Sequence, residues 1–298
     1  IYMFYFLRLN EVKFNYYCTH PALERCLFAI MVLMNNFPIG IFDSGIGGLT
    51  VVKEIIKTLP KESLIYLGDT ARVPYGTRNK ETITKFALEL VRYLLKQKIK
   101  VLVVACNTMS AVSLSEIKKI VGEIPVIDVI FPTVSSTLVE THTNVLGVIG
   151  TSATVNSRAY DLHLKKKNKA IKILSKACPL FVPLVEEGFV NNKATKLIAR
   201  EYLSVFKNTN IDCLILGCTH YSLLKNLFAE ILGHKVLLID SAKPTVEELK
   251  KVLEQKGLVS NKKPTRHFYV TDIHPKMEEM VNLIFDNNFP GKLEKINL

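Results

Sequence analysis

The sequence predicts an α/β protein built from two similar doubly wound parallel-sheet domains related by internal duplication. Two observations carry this prediction. The apolar runs VLVVACNTMS at 101–110 and CLILGCTHYS at 213–222 are nearly alike, and each is typical of a buried parallel strand. Each run also contains a cysteine followed by hydroxyl or amide side chains, at the strand end where open α/β sheets bind ligands.

A fixed offset of 112 positions relates Cys106 to Cys218. The same offset holds without a gap over the surrounding sequence, which indicates two copies of one α/β unit that is too long for a solenoid repeat. Duplicated units commonly face each other across a pseudo-two-fold axis, so we expect the two cysteines on opposite walls of one cleft that holds the active site. The offset also pairs VID at 126–128 with LID at 238–240, and PTV at 132–134 with PTV at 244–246.

Strands and helices alternate along the first half, as in a parallel sheet with crossover helices. A short apolar strand at 38–42 ends in the glycine-rich turn DSGIGG at 43–48, and apolar residues at helical spacing follow it. The remaining elements predicted here are helices at 49–59, 81–96 and 110–121 and strands at 64–67, 101–106 and 126–129.

The second half repeats this alternation. It opens with a strand at 145–149 and runs through the strand ending at Cys218 to another at 237–240; a last strand at 267–271 and a terminal helix return to one of the sheets. We therefore predict a first domain at 37–132 plus 244–298 and a second domain at 133–243. Residues 1–33 lack periodicity, so we expect an extension that is disordered or not native, with the fold beginning near Met34.

Composition places the chain among globular proteins, because 48% of its 298 residues are hydrophobic and 22% are charged. Its six cysteines are sparse and irregularly spaced, so we expect a reducing compartment and a cytoplasmic protein. The net charge of +12 has its clearest cluster at 165–169, which lacks interleaved aromatic residues and predicts a solvated loop rather than nucleic-acid binding. The apolar run at 27–33 is too short to span a bilayer, and no membrane partner is expected.

The turn at 43–48 has two interpretations. Gly45 and Gly47 match the first two glycines of a dinucleotide fingerprint, and Asp69 follows at the position of a ribose-binding acid. Thr50, however, replaces the third glycine, and the carboxylate of Asp43 would repel a pyrophosphate. A carboxylate ligand at the turn fits better, with Asp43 placed for a ligand ammonium or for proton transfer.

The paired cysteines favour acid–base chemistry, although two core cysteines are the simpler alternative. A thiol reacts as a thiolate, and His220 or helix N-terminal amides could lower its pKa. One residue between Cys218 and His220 matches no zinc spacing, so no metal is expected. A hydrolase with one nucleophile would leave the second thiol idle. Two matched groups on opposite faces of a carbon suit proton removal and return, which indicates racemisation or epimerisation.

Five motifs extend this interpretation: IGIFDSGIGGLTV, YLGDTARVPYG, VVACNT, PLVEEG and LGCTHY closely resemble those of the glutamate racemase family, in order, from about residue 37 to the final helix. The resemblance implies a cofactor-independent racemase that supplies D-glutamate for peptidoglycan, as a homodimer. It implies that Cys106 deprotonates D-glutamate and Cys218 L-glutamate. The implied assisting groups are Asp43 beside Cys106 and Glu186 and His220 beside Cys218. The implied substrate contacts are Asp43, Ser44, Tyr75, Gly76, Asn107, Thr108, Thr219 and His220, together with Thr151 and Thr154.

Several alternatives stay open. Tyr75 and Gly76 could form an ordinary turn, and Glu187 could take the place of Glu186. Paired thiols do not fix the substrate side chain, so the family's aspartate racemases, or racemases of another amino acid, are the alternative enzymes. A two-lobed amino-acid-binding protein is the alternative that is not an enzyme, but it has no use for paired cysteines at strand ends.

Overall fold

Ten strands form two parallel sheets in the computed structural model, which describes residues 35–298. The predicted extension at 1–33 and the predicted start at Met34 lie outside the described residues. The strands are β1 (Ile39–Asp43), β2 (Leu64–Gly68), β3 (Val101–Val104), β4 (Val126–Asp128), β5 (Val145–Gly150), β6 (Lys172–Ala177), β7 (Cys213–Gly217), β8 (Leu237–Ile239), β9 (Arg266–Val270) and β10 (Leu293–Lys295).

Helices cover the sheets and connect their strands. Asparagine side chains cap two of them, as Asn79 does by accepting a hydrogen bond from the amide of Thr82. The helices are α1 (Leu49–Thr58), α2 (Lys80–Lys96), α3 (Asn107–Val121), α4 (Ile130–Glu140), α5 (Ser152–Asn156), α6 (Ala159–Lys167), α7 (Phe181–Glu186), α8 (Lys193–Leu203), α9 (Lys225–Leu232), α10 (Ala242–Gln255) and α11 (Met277–Phe285), with 3-10 turns at Ser204–Phe206 and Thr219–Leu224.

Strand order is the clearest sign of the internal repeat. The six-stranded sheet has the order β10-β9-β2-β1-β3-β4, and the four-stranded sheet has the order β6-β5-β7-β8. The four strands β2-β1-β3-β4 therefore correspond one by one to β6-β5-β7-β8. All pairs are parallel. The predicted α/β class with two parallel sheets is confirmed.

Burial explains why the strands were recognisable. In β1, β2, β3 and β7 every residue is buried, and the sequence there is a continuous apolar run rather than an alternating one. Helix α2 instead buries residues 83, 87, 90, 91 and 94, the spacing of one helical face.

The structure differs from the predicted elements in three places. Helix α3 begins at Asn107 rather than Ser110, and Cys106, with extended dihedral angles, occupies the N-cap position without a side-chain capping hydrogen bond. The predicted loop at 165–169 is helical up to Lys167, the last residue of α6, although its lysines are exposed. The strand near 267–271 is not the last, since β10 follows α11; only three residues long and largely exposed, β10 has no apolar run to reveal it.

Two helices lie where the chain crosses between the sheets. Helix α4 follows β4 of the first sheet and contacts β7 of the second, and α10 packs against both α1 and α4. The predicted domain limits at 132/133 and 243/244 fall inside these helices, and the limits themselves stay a prediction. Within residues 35–298, no helix is both long enough and apolar enough to cross a bilayer.

A buried ion pair lies at the end of the first sheet opposite the cysteines. Lys100, just before β3, places Nζ 2.5 Å from Oε2 of Glu62, and both side chains are almost fully buried. The ammonium also donates to the carbonyls of Asn35 and Leu258, and Glu62 Oε1 accepts from the Ser260 amide. Burial lowers the pKa of Lys100, and the Glu62 carboxylate opposes this shift. The pair joins four separate segments of chain.

We expect Lys100→Met to lower the free energy of unfolding by about 3–5 kcal/mol, because it leaves the Glu62 carboxylate buried without its partner. The double variant Glu62→Gln/Lys100→Met should lose less than the sum of the single variants, since glutamine can still accept from Ser260. Lys119→Met removes an exposed pair with Glu116 and should leave the midpoint of the same denaturant titration nearly unchanged. Equal losses for Lys100→Met and Lys119→Met would contradict the role given to the buried pair.

Candidate active site

The carboxyl ends of three strands from the two sheets meet around one cavity. Asp43 is the last residue of β1, Cys106 lies two residues beyond β3, and Cys218 follows β7 directly. The cavity is lined by residues of the loops and helices that follow strands of both sheets. These residues are Ser44, Pro74, Tyr75, Gly76, Cys106, Asn107, Thr108, Thr151, Val182, Cys218, Thr219 and His220. The cleft expected from the duplicated sequence is therefore present, with both cysteines on its wall.

Three predicted site residues lie behind the cavity wall rather than on it. Asp43 is fully buried beside Cys106, Glu186 contacts His220, and Thr154 contacts Thr108 and Thr151. Two lining residues were not predicted. Pro74 precedes Tyr75 in the motif YLGDTARVPYG. Val182 lies in α7, and its apolar side chain gives no sequence signal of a site.

Cys106 has a buried, largely apolar environment. Burial raises the pKa of its thiol to about 12, and the neighbouring Asp43 carboxylate acts in the same direction. The thiol donates to Ser44 Oγ at 3.5 Å. Cys106 is therefore a neutral thiol at pH 7, suited to donate a proton.

Asp43 forms the floor of the glycine-rich turn. Its Oδ2 accepts hydrogen bonds from the amides of Gly48 at 2.8 Å and Gly45 at 3.4 Å. Burial raises the pKa of this carboxyl, while His220 and the turn amides oppose the shift. Its Oδ1 is buried and has no hydrogen-bond partner among residues 35–298. A carboxyl in this state can hold a proton more readily than a solvated one.

Cys218 belongs to a linear arrangement with His220 and Glu186. Its Sγ lies 3.8 Å from His220 Nδ1, and His220 Nε2 lies 2.5 Å from Glu186 Oε1. Burial alone lowers the pKa of His220, but the contacts with Cys218 and Glu186 outweigh it and place the pKa well above the usual value. The imidazole is thus a cation at neutral pH, next to the Cys218 sulfur, where it stabilises negative charge.

A hydroxyl cluster joins the two halves beside the cysteines. Thr108 Oγ1, at the start of α3, lies 2.9 Å from Thr151 Oγ1 and 3.4 Å from Thr154 Oγ1, and the last two are 3.0 Å apart. Gly76 extends the contact, because its carbonyl accepts from the Ala153 amide at 2.9 Å.

Asp69 holds the loop that carries Tyr75 and Gly76. The Tyr75 hydroxyl donates to its carboxylate, as do Arg72 Nε at 2.6 Å and Thr271 Oγ1 at 2.9 Å. In this structure, the residue that matched a ribose-binding acid in sequence is an anchor for the loop.

Gly47 permits the close approach of the glycine-rich turn to the loop that carries Cys218. A Cβ at Gly47 would lie 2.4 Å from Thr219 Oγ1 and 2.6 Å from His220 Nδ1. The side chain of Asp43 similarly occupies the space beside Gly48, where a Cβ would come within 2.6 Å. Packing between the halves is thus a physical reason for Gly47, and packing within the first half is one for Gly48.

Comparison with known proteins agrees with this geometry. The sequence profile described as Asp/Glu/hydantoin racemase matches residues 39–249. The chain belongs to this racemase family. The glutamate racemase of Chlorobaculum parvum is 45% identical over 255 residues, which are 85% of this chain and 94% of that protein.

Solved structures of similar racemases share the fold over most of the chain. The glutamate racemase of Francisella tularensis, solved in complex with D-glutamate, has a TM-score of 0.83 at 45% identity and covers 88% of this chain and 98% of its own. A glutamate racemase of Bacillus anthracis has a TM-score of 0.84 at 36% identity and covers 89% and 98%. The resemblance seen in the sequence motifs is confirmed.

We expect Gly76→Ala to impair this racemase more than it destabilises it. The new Cβ would lie 2.4 Å from Thr151 Cβ and would push the two halves apart at the cavity. A displacement of reacting groups by about 1 Å can cost on the order of 100-fold in rate, so kcat/KM for the racemised substrate should fall roughly tenfold or more.

Gly122→Ala is the matched control. Gly122 follows α3 at φ 67° with open space around its Cα, so alanine there should lower the melting temperature through backbone strain and leave kcat/KM unchanged. If Gly76→Ala also lowers only the melting temperature and leaves kcat/KM unchanged, the contact with Thr151 does not set the geometry of the cavity.

Proposed function

We propose that this protein interconverts L-glutamate and D-glutamate by a two-base reaction at Cα, with Cys106 and Cys218 as the two acid–base groups and no added cofactor. The observation that carries the proposal is the pair of strand-end thiols, contributed by two different sheets, that line one cavity. Relatives 45% identical to the chain are glutamate racemases, and this supports glutamate as the substrate.

In the direction from L-glutamate, the Cys218 thiolate removes the Cα proton and the C–H electron pair stays on the substrate carbanion. The Cys106 thiol then donates its proton to the opposite face of Cα. D-Glutamate leaves behind a Cys218 thiol and a Cys106 thiolate, so protons and charge balance. The reverse direction begins from that second protonation state.

The surroundings of the two thiols support these roles. A neutral Cys106 and a cationic His220 beside Cys218 form the protonation state that receives L-glutamate. Asp43, whose pKa is raised by burial, is placed to exchange a proton with Cys106. Glu186 keeps His220 charged from the far side of the ring. These assisting roles for Asp43, His220 and Glu186 belong to the proposal.

Substrate recognition in the proposed reaction relies on uncharged donors. Hydroxyls and amides of the cavity wall suit the two carboxylates of glutamate, and His220 adds a positive charge. Thr154, behind the wall, supports Thr108 and Thr151. The proposed contacts are Ser44, Tyr75, Gly76, Asn107, Thr108, Thr151, Thr219 and His220, with Asp43 acting from behind Ser44.

The proposed cellular role is the supply of D-glutamate for peptidoglycan, by a cytoplasmic homodimer organised as domains 37–132 plus 244–298 and 133–243. A circular-dichroism assay over a panel of amino acids, without added cofactor, tests the substrate. Racemisation of aspartate in preference to glutamate would move the assignment to another member of the family.

We expect Cys106→Ala and Cys218→Ala each to abolish net racemisation in both directions while the fold is retained. A general acid or base commonly contributes about 10²–10⁴-fold, and the loss should reach or exceed this range because alanine has no group that can exchange a proton with Cα from that face. Because the equilibrium constant between enantiomers is one, any residual kcat/KM must be equal for L- and D-glutamate.

Cys213→Ala is the control for the cysteine variants, since Cys213 is a buried thiol at the start of β7, away from the cavity lining. The void left by the smaller alanine side chain should lower the stability of this variant, but kcat/KM should be unchanged. Near-normal turnover by Cys106→Ala or Cys218→Ala would remove the two-base assignment.

Turnover in D₂O distinguishes two bases from one. Thiols exchange their protons with water between turnovers, so D-glutamate formed early from L-glutamate should carry deuterium at Cα while the remaining L-glutamate keeps protium. Mass spectrometry of the separated enantiomers measures both. Deuterium in residual L-glutamate, at conversions too low for reversal, would indicate one base that serves both faces.

A further inference from the structure

We propose that Tyr160, which no sequence motif marked, is a positioning residue that fixes the orientation of the Asn107 amide toward a substrate carboxylate. The inference rests on the proposed function and deepens it. It concerns how the cavity recognises an anion with few charged groups on its wall.

Tyr160 is anchored at the ends of both cysteine strands. It lies in α6 of the second half, is 2% exposed, and donates its hydroxyl hydrogen to Asn107 Oδ1 at 2.6 Å. Asn107 follows Cys106 directly. The Tyr160 ring packs on Gly217, the residue before Cys218, where an added Cβ would lie 3.0 Å from Cε2. One side chain therefore contacts the neighbours of both catalytic cysteines.

The direction of the hydrogen bond determines what Asn107 presents to the cavity. Burial raises the pKa of Tyr160, and the nearby Asp128 and Cys218 raise it further, so its hydroxyl stays protonated and acts as a donor. The hydroxyl donates to Oδ1, so the amide oxygen is the end of Asn107 that faces Tyr160. Its nitrogen Nδ2 is left buried with no hydrogen-bond partner among residues 35–298, although Asn107 lines the cavity.

An unpartnered amide N–H group on the wall of a cavity is suited to a carboxylate oxygen, and a buried donor without an acceptor is costly. If the amide were reversed, its oxygen would face the carboxylate and repel it. The hydrogen bond from Tyr160 thus holds the Asn107 amide in the orientation in which its N–H groups can donate to the substrate. Arg158, in the left-handed conformation at φ 56°, separates α5 from α6 just before Tyr160 and so helps to place it.

The test is a double-mutant cycle between Tyr160→Phe and Asn107→Ala. Tyr160→Phe keeps the ring on Gly217 and removes only the hydroxyl, so KM for both enantiomers should rise about three- to tenfold with a smaller change in kcat. In the Asn107→Ala background the same change should have less than about a twofold effect, because Tyr160 acts through Asn107. If the fold-changes in KM of the two single variants multiply in the double variant, the residues act independently and the inference is wrong.

Two further measurements separate structure from recognition. Tyr221→Phe removes another buried tyrosine hydrogen bond, to the Cys178 carbonyl at 2.8 Å, and should leave KM unchanged while melting temperature reports the fold of each variant. Calorimetric Kd values for an equilibrium mixture of L- and D-glutamate do not depend on turnover. A wild-type protein that binds glutamate without racemising it, with weaker binding in Tyr160→Phe, would support this inference and overturn the proposed function. Failure of the wild-type protein to bind glutamate would overturn both.

Discussion

The close approach of two parallel sheets at their carboxyl ends is the constraint on which the rest of the site depends. Thiols on separate sheets can act on one carbon only if their loops nearly touch. Glycines make this possible at Gly47, against Thr219 and His220, and at Gly76, against Thr151. Hydroxyl groups of Thr108 and Thr151 then form a hydrogen bond across the seam beside the cavity, while apolar side chains of both halves belong to one core cluster elsewhere.

The repeated scaffold supplies two thiols, but their surroundings differ. The strand order β2-β1-β3-β4 repeats as β6-β5-β7-β8, and Cys106 and Cys218 occupy matching strand ends. Beside Cys106 lies a buried carboxyl, Asp43, whereas His220 and Glu186 lie beside Cys218. Identical surroundings are not required for the two thiols, since equal equilibrium populations of the enantiomers constrain only the ratio of the kcat/KM values.

Local sequence was enough to locate the strands and both cysteines, because fully buried parallel strands are continuous apolar runs that end abruptly in polar residues. It was not enough for β10, whose pairing is decided by β9, or for the early start of α3, where the backbone changes from extended to helical directly after Cys106. Tyr160 and Val182 were missed for a different reason. Their relation to the cavity depends on tertiary packing, and neither residue type in its local pattern signals a site.

Burial of Cys106 and Asp43 favours one of the two protonation states between which the proposed cycle alternates, the state with a neutral Cys106 thiol. After conversion of L-glutamate, Cys106 is left as a thiolate in a site where burial favours the neutral thiol, so regaining a proton is downhill. Asp43 is the nearest acid, and burial has raised its own pKa. The amides of Gly45 and Gly48 hold one of its oxygens, which keeps the carboxyl in place whichever protonation state it has. On the other side, Glu186 favours the charged form of His220, which lies beside the Cys218 sulfur. In the proposed cycle, the buried environment of Cys106 therefore favours return to the state that receives L-glutamate.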